Sequence, residues 1–238
     1  RLVRNRKTNK RIVEMSIVAV ITARGGSKRI PRKNIKEFMG KPMLAYAVEA
    51  AVNSKVFDEV MVSTDDVEIA EIAKQFCAKV PFMRSEKTAN DFATTADVLE
   101  EVISEYKKRG KTFDELCCIY PCVPFLTADV IKNAYEKFKT SGADRLTPVV
   151  KYSFPIQRAF KLNEQGLLEY REPENAPKRS QDLEPMYHEV GMFYFYKTEK
   201  MNSDKIAMLE MDEAMVQDID NDSDWQMAEM KYRIMHNV

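Results

Sequence analysis

The uncharged run Ile17-Val18-Ala19-Val20-Ile21-Thr22 passes straight into Ala23-Arg24-Gly25-Gly26-Ser27-Lys28, and that junction constrains the chain more than any other stretch. A β-branched apolar segment of this length reads as a buried parallel strand, which needs helices packed on both faces of its sheet. The two glycines at its carboxyl end let the backbone approach a ligand closely and turn N–H groups towards it. Cations crowd the ten residues 24–33, Arg24, Lys28, Arg29 and Lys33 among them. Such a loop suits a polyanion, above all a nucleotide triphosphate. A solvated basic loop is the plainer alternative. The spacing is neither that of a Walker A loop nor G-x-G-x-x-G.

Strand-like and helix-like segments then alternate. Leu44, Ala47, Val48 and Ala51 share a helix face after Pro42, and Glu59–Ser63 reads as a strand ending in Thr64-Asp65-Asp66. Ile69, Ile72, Ala73 and Phe76 give a second helix, followed by a short strand near Val80–Met83. Leu99, Val102, Ile103 and Tyr106 mark a third, with Thr94 or Thr95 as its N-cap. Leu116–Tyr120 is the next strand, Ile131, Ala134, Tyr135 and Phe138 the next helix, and Leu146–Val150 a further strand. This order predicts an α/β fold with a mostly parallel sheet, whose ligands bind beyond the carboxyl ends of the strands. Arg24–Asn34, Thr64–Asp66 and Pro121–Thr127 would meet there.

From about 151 to 190 the pattern breaks, with Pro155, Pro173, Pro177 and Pro185 and little periodicity. An excursion this long is usually functional or disordered. Gly191–Tyr196 returns as an aromatic strand. Trp225, Ala228, Tyr232 and Met235 close the chain as an amphipathic helix, with Asp222 as its expected N-cap.

Charge is unevenly spread. Residues 1–14 hold six bases and one acid, so the other residues carry 31 bases and 36 acids, a net −5. That mildly acidic body argues against a nucleic-acid partner. The basic head lacks the apolar segment of a secretory signal. It is expected to be disordered and to lie upstream of a natural start at Met15. No uncharged apolar run approaches the roughly 20 residues of a membrane span. Cys77, Cys117, Cys118 and Cys122 form no C-x-x-C pair, and with only His188 and His236 no zinc arrangement is offered. Reduced thiols in a cytoplasmic protein are expected.

The stretch A-R-G-G-S-K-R-I-P-R-K-N resembles the signature of the CMP-sugar synthetases, the cytidylyltransferases that activate nine-carbon keto acids. The likeness extends from about Ser16 to the C-terminus. It implies a Rossmann-like sheet of the nucleotidyltransferase type over 15–238, with a protruding arm at about 151–190 that pairs subunits into a homodimer. By the resemblance, Arg24, Lys33 and Asn34 touch triphosphate and ribose, with Gly25, Gly26, Ser27 and Lys28 around them. Arg29 and Arg32 are expected to be surface charge. Arg84-Ser-Glu-Lys-Thr-Ala-Asn-Asp-Phe-Ala-Thr-Thr95 is similar to R-P-x-x-L-A-x-D-x-A-x-[ST], which places Arg84, Asp91, Ala93 and Thr95 at the nucleotide. Ser85 and Thr88 depart from that pattern. A simple helix cap is the alternative for the threonines.

Ile119-Tyr-Pro-Cys-Val-Pro-Phe-Leu126 stands where N-acylneuraminate enzymes carry L-Q-P-T-S-P-L-R. Tyr120 in place of the sugar-reading glutamine looks more like the pseudaminic acid cytidylyltransferases, though a core tyrosine would serve a strand end equally. Arg179-Ser-Gln-Asp-Leu-Glu-Pro-Met-Tyr187 is similar to R-R-Q-D-L-P-x-x-Y, one residue out of register at Glu184. This implies sugar contacts from Arg179, Gln181, Tyr187 and His188, an arginine being suited to a carboxylate. His188 could instead be a general base or make a structural hydrogen bond. Gln217-Asp218-Ile-Asp220 resembles the family's I-D-I-D. Two carboxylates one residue apart leave a strand on the same side and can share a hard cation such as Mg²⁺; an acidic turn is the alternative.

The resemblance implies nucleotidyl transfer from CTP to a nonulosonic acid, with Arg24, Lys33, Asp218 and Asp220 carrying the chemistry and Mg²⁺ as cofactor. Pseudaminic acid is the expected substrate, in cell-surface glycan biosynthesis. An N-acylneuraminate or legionaminate enzyme is the alternative, and a nucleotide-binding regulator without turnover the alternative of another class.

Overall fold

Five of the six residues of Ile17–Thr22 are buried, and the strand lies inside a seven-stranded sheet. The strands, numbered in chain order, are β1 (Ile17–Thr22), β2 (Glu59–Ser63), β3 (Glu115–Ile119), β4 (Arg145–Lys151), β5 (Tyr187–Glu189), β6 (Phe193–Lys197) and β7 (Ile206–Glu210). This computed structural model describes residues 15–237 and, in the basic head, two short strands, Leu2–Arg4 and Arg11–Val13, paired antiparallel. The expected disorder of the rest of residues 1–14 lies outside the described residues.

The sheet order is β5-β4-β6-β3-β1-β2, with β7 on the opposite edge of β4. β1 pairs in parallel with β2 and β3, and β7 in parallel with β4. β6 runs antiparallel to both β3 and β4, and β5 antiparallel to β4. The sheet is therefore largely parallel, as expected, with one return strand let into its middle and a second beside it.

Six helices complete the body. α1 (Met43–Ser54), α2 (Val67–Gln75) and α5 (Ala128–Ser141) cover one face, where Leu44, Ile69 and Phe138 pack against Ile21, Val62 and Phe195. α4 (Thr95–Lys108) covers part of the other, with Leu99 and Val102 on Val20 and Cys118. Neighbouring Cys117 and Cys118 thus point to opposite faces, following the strand's period of two. The short α3 (Glu86–Ala89) precedes α4, and α6 (Asp222–His236) packs Trp225 against Phe38 and Ile219 near the carboxyl ends of the strands. Among the described residues no helix is long and apolar enough to cross a membrane.

Two expectations about elements change. Val80–Met83 is not a strand; a single bridge joins Lys79 to Met61, and Pro81, without an N–H, cannot extend the ladder. Asn221, not Asp222, caps α6, accepting from the Ser223 and Asp224 N–H groups while Asp224 returns a bond to the cap. The 152–186 excursion leaves the sheet between β4 and β5 and forms its own hairpin, Phe160–Leu162 against Leu168–Tyr170, with Leu162, Leu167 and Leu168 exposed.

Buried carboxylates anchor the amino ends of the strands. Glu59, its side chain 4% exposed, accepts from Lys79 at 2.8 Å, Lys111 at 2.5 Å and the Tyr106 hydroxyl at 2.5 Å. Burial pushes its pKa up, but these three donors outweigh burial and hold it at about 2. A carboxylate depressed from 4.5 to that extent contributes about 3 kcal/mol, present above pH 4.5 and lost as the pH falls towards 2. Glu59→Gln should accordingly lower the thermal midpoint by roughly 5–10 °C at pH 7, and by less at pH 3, read by calorimetry at both.

Candidate active site

A cleft of about 490 Å³ opens where β1, β2 and β3 end. Its floor is the loop after β1. Arg24 Nη1 donates to Asp91 Oδ1 at 2.8 Å and to the Asn90 carbonyl at 3.2 Å, and Lys28 pairs with the other oxygen of Asp91. Bonded first by Lys28 and then by Arg24, Asp91 is held below the usual carboxylate range. Ser27 and Asn34 also line the cleft. The Asn34 amide donates to the Arg24 carbonyl at 2.8 Å and accepts from the Cys122 thiol at 3.3 Å. It therefore fixes the loop that carries Arg24, a positioning role beyond the expected contact with nucleotide.

The glycines play different parts from each other. The Gly25 N–H is taken by Asp65 Oδ1 at 2.9 Å, and a side chain on Gly25 would come within 2.8 Å of Asp66 Oδ2. Gly25 is small because the chain passes against Asp66, and neither glycine lines the cleft. The Ser27 N–H turns back onto the Gly25 carbonyl at 3.0 Å. Gly26 faces open space.

Arg32 is a partly exposed charge, as expected, with a bracing role besides. It sits at φ 56°, in the left-handed region, and forks onto Asp66, with Nη2 at 3.1 Å from Oδ1, while also pairing with Glu68. Asp66 in turn caps α2 by accepting from the Ile69 N–H. Arg29 is not idle either: its Nη2 donates to Asp220 Oδ1 at 2.7 Å inside the cleft.

On the wall, Arg84 is 8% exposed and donates to Ser63 Oγ at 3.0 Å and to the Ser63 carbonyl at 2.6 Å. Burial lowers its pKa, against which Asp65 and Glu101 act. The two departures from the family pattern share a partner: Ser85 donates to Glu101 through its N–H at 2.8 Å and its hydroxyl at 3.0 Å, and Thr88 bonds the same carboxylate. Together they pin α3 to α4. Asn90 Oδ1 then accepts from the Phe92 and Ala93 N–H groups, turning the chain so that Ala93 faces the cleft. Thr94 caps α4 in a capping box with Asp97, and both Thr94 and Thr95 line the cleft. Thr94 is therefore at once helix cap and part of the wall.

At the far end stands Tyr120, its hydroxyl 3.2 Å from Thr95 Oγ1 and its ring edge-on to Tyr194 at 5.8 Å. Burial raises its pKa, opposed by the Thr95 bond, with Glu189 and Asp218 adding to the rise. Gly191, at φ 54°, lies beside the Tyr120 ring, where an added Cβ would come to 3.8 Å from it. Glu189 reaches the Tyr194 hydroxyl at 3.4 Å.

Asp218 and Asp220 do not lie on a strand; residues 216–220 are irregular. Ile219 between them is buried, which turns both carboxylates away from the core. Lys33 ties this segment to the loop, donating to the Ile219 carbonyl at 2.6 Å and lying 3.8 Å from Asp220 Oδ1. Burial pushes the Cys122 thiol up to about 12, with Lys33 acting against this and Asp218 and Asp220 adding to it. Cys122 is therefore a neutral donor and no nucleophile.

Four expected sugar residues lie elsewhere. Arg179 Nε donates to Asp182 Oδ2 at 2.9 Å on the exposed excursion, and Gln181 beside it is exposed. Tyr187 and His188 are on β5, where His188 stacks with Tyr152 at 4.9 Å and its Nδ1 lies 3.0 Å from the Glu189 carbonyl. None of the four lines the cleft of its own chain.

Residues to which the sequence reading gave no site role include Asp65, Asn90 and Glu101, and Arg29, exposed as expected, also reaches Asp220 in the cleft. Asn90 could have been found from Asn-Asp-Phe, an Asx-turn signature ahead of a capped helix. Glu101 carries no such signal, being one acid among many on α4.

Residues 18–230 match the protein family described as Cytidylyltransferase. The pseudaminic acid cytidylyltransferase of Campylobacter jejuni is 39% identical over 228 residues, covering 93% of this chain and 98% of that protein. The CMP-N,N'-diacetyllegionaminic acid synthase of Legionella pneumophila is 32% identical over 231 residues, covering 90% and 95%. Among solved structures, a CMP:2-keto-3-deoxy-manno-octonic acid synthetase complexed with CTP superposes with a TM-score of 0.65, at 20% identity over 94% of this chain and 100% of that one. Fold, cleft and sequence agree: the chain belongs to the cytidylyltransferase family.

Proposed function

We propose that this cytidylyltransferase couples CTP to pseudaminic acid, a nine-carbon 2-keto sugar acid, releasing pyrophosphate and giving the CMP-sugar. The observation that carries the choice of sugar is Tyr120: a partly buried aromatic, held by Thr95, at the end of the cleft where a polar glutamine would suit a more hydroxylated substrate. The relative from Campylobacter jejuni, named for the same sugar, supports this reading.

The base of CTP is placed against Arg84, Ala93 and Thr95, and the triphosphate over Arg24, Ser27, Lys28 and Lys33. The anomeric hydroxyl attacks the α-phosphorus in line and pyrophosphate leaves. Charge grows on that leaving group, so the loop cations bind the transition state more strongly than the ground state. No covalent enzyme intermediate is required. Asp218 and Asp220 fit Mg²⁺: two hard oxygen donors, with no third His, Cys, Asp or Glu gathered beside them among the described residues, suit an ion that completes its shell with water and substrate phosphates. When bound, Mg²⁺ would supply phosphate charge neutralisation and acidify the attacking hydroxyl.

The 152–186 excursion serves as the arm of a homodimer, its exposed Leu162, Leu167 and Leu168 packing on a second copy. Arg179, Gln181, Tyr187 and His188 would then complete the partner's sugar site. That reading accords with their distance from the cleft of their own chain. The free thiols of Cys77, Cys117, Cys118 and Cys122 accord with a reducing cytoplasm.

Tyr120→Gln tests the sugar assignment. It should cut kcat/KM for pseudaminic acid roughly 10- to 100-fold, narrow the margin over N-acetylneuraminic acid, and leave KM for CTP within about threefold. An unchanged sugar preference would remove Tyr120 from the specificity account.

A further inference from the structure

We propose that Arg29 is a partner-exchanging residue of the nucleotide site: it holds Asp220 and passes to the triphosphate once a metal takes that carboxylate. The inference rests on reading Asp218 and Asp220 as the metal pair. Four of the five loop cations are matched to two aspartates. Arg24 and Lys28 converge on Asp91, while Arg29 and Lys33 converge on Asp220. Arg29 Nη2 lies 2.7 Å from Asp220 Oδ1, and Lys33 Nζ lies 3.8 Å from the same oxygen. A divalent cation on Asp220 neutralises the carboxylate and repels the guanidinium beside it, which weakens the hold on Arg29.

Lys33 is anchored independently by the Ile219 carbonyl, so it can stay when the metal arrives. Arg29 makes its hydrogen bond to Asp220 alone and its side chain is 68% exposed, so it can move at little cost. Arg29 also lines the cleft, together with Arg24 and Lys28. A long guanidinium that leaves Asp220 there meets phosphate oxygens, which it can bind in bidentate fashion. One consequence follows. The protein resists metal until nucleotide offers Arg29 another partner, which makes metal and CTP binding mutually reinforcing.

The test uses the full chain without sugar acid, Mn²⁺ as the metal probe read by electron paramagnetic resonance, and CTP binding read by calorimetry. Arg29→Gln should tighten nucleotide-free Mn²⁺ binding about fivefold, the size of an exposed ion pair, and weaken CTP binding about tenfold. Lys36→Gln removes an equal charge near Asp222, at 4.0 Å, and should move neither value beyond about twofold. Arg29→Lys should recover part of the CTP affinity. If Arg29→Gln leaves nucleotide-free Mn²⁺ affinity unchanged, or Lys36→Gln matches it, the exchange is wrong; if CTP affinity does not fall, the second half is wrong. Asp220→Asn separates the two readings. Mn²⁺ bound in the presence of CTP as tightly by this variant as by the wild type would overturn the metal assignment itself.

Discussion

Asp220→Asn should lower kcat by roughly 10³-fold, about 4 kcal/mol of transition-state stabilisation, while CTP measured without divalent metal binds within about threefold of the wild type. Asparagine keeps the shape of the side chain and can still accept from Arg29, so the fold near Ile219 should stand. What disappears is the negative charge. Buried Ile219 and the Lys33 bond to its carbonyl hold the segment in place whichever residue occupies position 220. A variant retaining more than a tenth of wild-type turnover would mean that Asp220 shapes the cleft but is not part of the chemistry. The same variant separates an enzyme from a binding protein, because a nucleotide sensor has no turnover to lose.

Lys33→Met has the second-largest expected effect. Lys33 is mostly shielded, touches the Ile219 carbonyl at 2.6 Å and sits 3.8 Å from Asp220. It therefore joins the phosphate loop to the acidic segment and places a cation where the leaving pyrophosphate develops charge. Methionine matches its length and removes both functions. Single-turnover rates should fall roughly 10²- to 10³-fold, with a smaller change in CTP affinity, since the charge is needed more in the transition state than in the ground state. Lys33→Arg should recover part of the rate. Equal losses in rate and affinity would instead describe uniform binding, and the leaving-group role would fail.

What was legible from residues alone follows from how local each signal is. β1 and its loop were readable because apolar burial, the glycines and the cations are consecutive. The helices of the first half were readable because each has one apolar face, such as Leu99 and Val102 on α4. β7 was missed: exposure alternates along Ile206–Glu210, but Ile206, Ala207, Met208 and Leu209 are apolar on both faces, so the sequence shows no alternation. The return strand β6 was recognised as a strand, but its place between β3 and β4 depends on pairings such as Phe193 with Ile119 and Phe195 with Leu146, too distant in the chain for any local pattern to encode.

At the site, residues that act through their own type, such as Arg24, Arg84 and Asp220, could be named from motif positions. Residues that act through a partner could not. Arg29 and Arg32 look alike in the sequence, yet one pairs with Asp220 across 191 positions and the other braces the cap of α2. Gly25 was legible as a required glycine but for the wrong neighbour, since what it makes room for is Asp66.

The most direct measurement is pyrophosphate release from CTP and Mg²⁺ with pseudaminic, N-acetylneuraminic and legionaminic acids offered separately, the CMP-sugar product confirmed by mass. The account predicts stoichiometric product with pseudaminic acid and a kcat/KM at least about tenfold above the other two, in keeping with one altered contact. A preference for either other acid would contradict the substrate assignment, and no turnover with any of the three while CTP still binds would contradict the proposed transfer to a nonulosonic acid.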